Sequence, residues 1–146
     1  MTNQPAESRP KRRAPEGLRG RSLAASLTVN DLRASLAWYR DVVGFTVDRL
    51  HEREGVLRAV SLKAGDVRIL LGQDDGAQGW DRAKGAGFSL QITTAQSVDW
   101  IADRIKERGG TLEMEPTDTP WGARVMRLRD PDGFRLVISS EVPGRA

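Results

Sequence analysis

The strongest constraint on this chain is an order of elements that occurs twice. Leu32, Leu36, Tyr39 and Val43 recur at helical spacing, with Asn30-Asp31 ahead of them as an N-cap and Gly44 behind as a left-handed cap. Val98, Ile101 and Ile105 repeat that stripe in a helix predicted over 97–108, which Gly109-Gly110 stops. One strand is predicted before each helix (22–29 and 87–93) and three after it (45–50, 57–62 and 67–71; 111–114, 123–128 and 134–140). The chain therefore reads as two tandem βαβββ units, about 22–72 and 86–141, of α+β class. A Gly-rich loop over 72–85 joins them, and 115–122 is read as a second long loop.

The final hairpin carries the clearest turn chemistry. Pro131 sets its own φ for a tight corner, Asp130 and Asp132 accept from nearby backbone N–H groups, and Gly133 supplies the positive φ that leaves the turn. Val, Ile, Leu and Phe dominate the strands on either side, with Arg124, Arg127 and Arg135 interleaved.

With 146 residues the chain is the size of one domain with a real core. No apolar run has membrane-spanning length, and no secretory h-region opens the chain. Cysteine is absent, which removes disulfides and thiolate chemistry and fits a reducing, cytoplasmic setting. The net charge of +3 comes from the leader, because residues 1–21 hold six basic and two acidic side chains, a local +4. That leader is rich in Pro and Gly and is read as a disordered, solvated tail; 142–146 is a short C-terminal tail. It lacks interleaved aromatics, so nucleic acid is not an expected partner.

Val29-Asn30-Asp31-Leu32, Ser35, Trp38-Tyr39, Val42-Val43-Gly44-Phe45, Gly109-Gly110 and Asp130-Pro131-Asp132-Gly133, in this order, resemble the vicinal oxygen chelate superfamily. That group holds glyoxalase I, bleomycin and fosfomycin resistance proteins and extradiol dioxygenases. The resemblance spans about 22–141 and implies an open, curled mixed sheet around a concave pocket, with a homodimer completing each pocket. Enzymes of the superfamily hold a divalent metal with His, Glu or Gln at four inward strand positions. The resemblance places three of these at Ala24, Leu70 and Val137, none of which can ligate, and the fourth within 87–91, where Phe88, Ser89 and Leu90 offer nothing strong and only Gln91 is a good donor. His51, the single histidine, matches no ligand position and is expected in an exposed polar turn. No metal and no cofactor are expected.

The resulting expectation is a metal-free small-molecule-binding protein of the bleomycin-resistance type, sequestering an aromatic or antibiotic-like metabolite. Two alternatives stand beside it: a metal-dependent glyoxalase- or dioxygenase-like enzyme with atypical ligands such as Gln91 or His51, and a non-catalytic interaction module using the basic tail. Candidate ligand-binding residues are Ala24, Ser26, Leu70, Phe88, Leu90 and Val137 on strands, Trp80 and Trp121 in the long loops, and Arg124 as partner for an anionic group. Trp38 and Trp100 are assigned to packing or oligomer contacts and Tyr39 to the core. Asp74-Asp75 is assigned to a solvated linker. Glu113 and Glu115 are the carboxylates available as a base without a metal, and no motif places either. Nucleophile elbows and phosphate loops are missing from the sequence.

Overall fold

The computed structural model describes residues 17–141. The basic leader therefore lies mostly outside the described residues, as does 142–146. The first unit runs β1 Ala25–Val29, α1 Leu32–Ala37, a π-helical segment Trp38–Val43, β2 Thr46–Arg53, β3 Val56–Ala64 and β4 Val67–Gln73. The second runs β5 Ser89–Thr94, α2 Val98–Glu107, β6 Met114–Asp118, β7 Arg124–Arg129 and β8 Arg135–Ser140. Each unit folds into a four-stranded sheet of the same plan, β1-β4-β3-β2 and β5-β8-β7-β6. The pairs β1/β4 and β5/β8 are parallel and the others antiparallel. Among the described residues no helix is long and apolar enough to cross a membrane.

Strand alternation decides which face of each sheet is inside. Leu27 and Val29 of β1, Val60 and Leu62 of β3, and Ile69 and Leu71 of β4 are buried, and so are Met126, Leu128, Leu136 and Ile138 in the second sheet. These side chains join Leu32, Leu36 and Tyr39 of the first helical stretch and Val98, Ala102 and Ile105 of α2 in one apolar cluster. The helical segments meet each other: a Cβ at Gly110 would fall 2.6 Å from Val42 Cγ1 and 2.6 Å from Ile105 Cγ2. Both sheets thus lay their apolar faces on a shared helical layer, and their other faces turn away from it.

The β7–β8 turn fastens the second unit to the first. Asp130 is buried; its Oδ1 accepts from the backbone N–H groups of Asp132 and Phe134, each at 2.9 Å, and its Oδ2 accepts from the Tyr39 hydroxyl at 2.7 Å. Asp132 accepts from Asn30 N at 3.0 Å and from Ser35 Oγ at 3.4 Å. Burial pushes the Tyr39 hydroxyl and the Asp130 carboxyl above their ordinary pKa ranges; the adjacent Asp130 charge adds to the rise at Tyr39. Tyr39 is a core residue, as its stripe predicts, and its ring meets Trp38 and Phe45 edge to face.

Three local readings are corrected. The first helix keeps its predicted span but widens after Ala37, where Gly44 N–H reaches back five residues to Tyr39 O at 2.9 Å. The polar stretch 51–55 is not a loop: β2 and β3 continue through it to a two-residue turn, Glu54-Gly55, both at positive φ. The sixth strand lies at Met114–Asp118, not 111–114, so half of the loop read over 115–122 is strand. Pro116 hides it, because an edge strand with a shifted register tolerates a residue that lacks an N–H.

Candidate functional site

The residues singled out on strand grounds lie mainly on the faces turned away from the helical layer. In the first sheet the register sets Ser26 beside Leu70 and Leu70 beside Ser61, and a neighbouring row runs Thr28, Gly72, Ala59 and His51. Ala24 stands just ahead of β1 and is exposed. His51 belongs to β2, is half-buried, and holds its Nε2 3.1 Å from Ser61 Oγ, which corrects its assignment to an exposed turn. In the second sheet Gln91 lies beside Val137 and Val137 beside Arg127, followed by a row of Thr93, Ser139 and Val125. Gln91 Nε2 donates to Ser89 Oγ at 2.9 Å.

The remaining candidates divide. Leu90 pairs with Leu136 and packs on the core cluster, so it faces the interior and not a ligand surface; alternation puts it opposite Gln91. Phe88 precedes β5, half exposed, with its ring 5.9 Å from that of Phe134. Trp121 is 74% exposed in the β6–β7 loop, while Trp80 is 53% exposed and lies across Gly76, where no Cβ would fit. Arg124 is already engaged: Nε donates to Asp99 at 2.8 Å and Nη1 to Asp118 at 2.9 Å, which lifts its pKa further. Arg127 is different. It is exposed on the outer face next to Val137, and its guanidinium has no hydrogen-bond or ion-pair partner among the described residues. Sequence reasoning passed over it, although the signal was available: counting back from the closed turn pairs Arg129 with Arg135 and hence Arg127 with Val137.

Acid–base candidates are also occupied. Glu113 accepts from Arg129 Nε at 2.8 Å and Arg135 Nε at 2.9 Å, and these guanidiniums hold its carboxyl below the usual range, which makes it a poor base. Glu115 pairs with Lys106 at 2.6 Å. Asp74 is not a solvated linker carboxylate. It is buried against Lys84 Nζ at 2.8 Å and Arg82 Nη2 at 3.2 Å and accepts from Gly76 N–H, so its pKa is held down to about 2, chiefly by Lys84.

The donor set does not suit the divalent metal used by superfamily enzymes. Ala24, Leu70, Phe88 and Val137 present only carbon, Gln91 is one neutral donor, and among the described residues no three of His, Asp or Glu stand together as a metal cage. The outer faces instead present hydroxyls, small and aliphatic side chains and two guanidiniums unpartnered among the described residues, Arg127 beside Val137 and Arg49 beside Ser61. Such a face suits recognition by shape, stacking and charge.

The profile of the Glyoxalase/Bleomycin resistance protein/Dioxygenase superfamily matches residues 21–138. The chain belongs to that superfamily. Two tandem βαβββ units without closure into a barrel are the fold this membership implies, and they are what the chain forms. Among its relatives, YraH of Bacillus subtilis strain 168 is 31% identical over 119 residues, covering 75% of this chain and 90% of YraH. The lactoylglutathione lyase of Salmonella typhimurium is 25% identical over 133 residues, covering 86% of this chain and 96% of the lyase. Among solved structures, TnmS3, an antibiotic binding protein from Streptomyces sp. CB03234, has the same fold, with a TM-score of 0.65 at 23% identity over 84% of this chain and 96% of TnmS3.

Proposed function

We propose that the protein binds a small, flat organic anion, an aromatic or antibiotic-like metabolite, without a metal, on the outer faces of its two sheets. The observation that carries this reading is the pairing of carbon-only side chains at the superfamily's ligand positions with the unpartnered Arg127 beside Val137. Leu70 and Val137 supply apolar floor, Ser26 and Gln91 supply hydrogen bonds, and Arg127 meets the ligand's carboxylate or phenolate. Trp121, exposed in the β6–β7 loop, is the aromatic side chain free to cover the ligand. A second copy of the chain supplies the facing half of each pocket, because the two outer faces of one chain turn away from their shared core. The antibiotic-binding relative of the same fold supports this reading. The binding domain spans 22–141, and the protein works in the cytoplasm. The similarity to a lactoylglutathione lyase favours the enzyme reading, and metal content separates the two.

Native mass spectrometry on protein purified without chelator, followed by calorimetric titration with anthraquinone-2-carboxylate, tests the proposal. The expected result is a metal-free dimer that binds the carboxylate and loses about tenfold in affinity on Arg127→Ala, the scale of one charge-assisted contact. A stoichiometric divalent metal, or binding indifferent to Arg127, would overturn it.

A further inference from the structure

A cavity of about 590 Å³ opens on the helical layer, between the two units and away from both outer faces. Its buried and half-buried lining is mostly apolar, including Val43, Val67, Ile92 and Ile101, with Thr94 beside them, and its exposed rim carries Trp100 and Arg108 of the α2 region. Between those two, Arg104 is half-buried with its guanidinium carbon 4.8 Å from the centre of the Trp100 ring. Neither Arg104 nor Arg108 forms an ion pair among the described residues. The one acidic side chain of the lining, Asp66, is exposed in the β3–β4 turn.

The internal repeat explains why the space exists. Ser35 and Ile101 occupy the same position in their helices, four residues after the N-caps Asp31 and Ser97. Ser35 is met by Asp132 from the other unit's last hairpin. Ile101 looks toward the corresponding hairpin of the first unit, whose turn is only Gly65-Asp66 between paired Ala64 and Val67, and there the cavity remains. The volume lies within the ~300–1,000 Å³ usual for small-molecule sites. A stacked, half-desolvated guanidinium beside an apolar hollow is suited to one anionic group on an apolar body.

We propose that this cavity is a second small-molecule site, for an amphipathic organic carboxylate whose apolar body lies on Val43, Val67 and Ile92 and whose carboxylate meets Arg104, with Arg108 adding to the local positive field. It is independent of the outer-face site. Titration of ¹⁵N-labelled protein with octanoate tests it by NMR. The Trp100 indole signal and the amides of 65–67 and 94–96 are expected to move saturably while those of Ser26, Leu70, Gln91 and Arg127 stay in place. Octanol is expected to bind about tenfold more weakly, and Arg104→Met to weaken octanoate about tenfold while leaving octanol unchanged. Ile101→Trp, which occupies the hollow, is expected to remove both, and Arg127→Ala neither. Shifts confined to the outer faces, or octanoate binding unchanged in Arg104→Met with its spectrum still dispersed, would overturn the proposal.

Discussion

Between β7 and β8 the chain turns through five residues, 130–134, and carries a buried carboxylate to the first helical stretch; between β3 and β4 it turns through two, Gly65 and Asp66, and leaves a hollow against α2. The two turns close the corresponding strand pair in the two units. The difference is length and one side chain. A five-residue turn with Asp130 satisfies two backbone N–H groups internally and still has an oxygen left for Tyr39, so it locks onto its neighbour. A two-residue turn has no such reach. Duplication of a unit therefore did not duplicate the contact, and the asymmetry sets a fastened joint on one side of the molecule and an open cavity on the other.

The largest effect should come from cutting the joint. Asp130→Ala leaves two backbone N–H groups and the Tyr39 hydroxyl without their acceptor and is expected to lower the unfolding free energy by about 3 kcal/mol. Asp66→Ala in the counterpart turn should stay within about 0.5 kcal/mol. Urea denaturation of both variants checks the contrast, and equal losses would break it. Next in size are the equivalent glycines that end the two helical stretches. Gly110→Ala pushes a Cβ into Val42 and Ile105 and is expected to cost about 2 kcal/mol. Gly44→Ala meets nothing closer than Arg108 Nη1 at 3.8 Å and suffers only the strain of φ +111, about 1 kcal/mol, readable as the smaller fall in Tm. Tyr39→Phe removes one donor from Asp130 and should lose about 1.5 kcal/mol in the same urea denaturation.

The smallest effect concerns pH. Asp74 has a folded pKa of about 2 against an unfolded value near ~3.9, so its contribution is present above about pH 4 and is lost as pH falls toward 2. Asp74→Asn should flatten that part of the acid limb, seen in urea midpoints at pH 5 and pH 2.5, while leaving the contrast between the two turns intact.

The repeat itself was legible because its signals are local. Helical stripes such as Val98, Ile101 and Ile105, their caps and the Asp130–Gly133 turn each fit within a few residues. The strand Met114–Asp118 was not, since Pro116 and the polar Thr117-Asp118 carry no strand pattern and pairing with β7 defines it. In the candidate site, the family resemblance marks Leu70 and Val137, whereas the pairing of Leu90 with Leu136 is a tertiary fact that no local pattern carries. Arg124 attracted attention as a free cation, but its partner Asp99 lies 25 residues upstream on α2, beyond any periodic signal. The cavity against α2 depends on how two units meet, and no stretch of sequence encodes that alone.

Lys84 has one further consequence. Its side chain is only 3% exposed, and its ammonium joins Asp74 at 2.8 Å and Asn30 Oδ1 at 2.7 Å, while Trp80 folds back over Gly76. The linker is thus pinched shut at its neck and filled by its own indole, in the manner of an Ω-loop. A segment closed in this way can be lengthened or exchanged between its two anchoring residues at small entropic cost, with each doubling of length adding only about 0.6 kcal/mol. The 75–83 stretch is accordingly the natural insertion point of this scaffold, where a new recognition sequence can be carried without disturbing the sheets on either side.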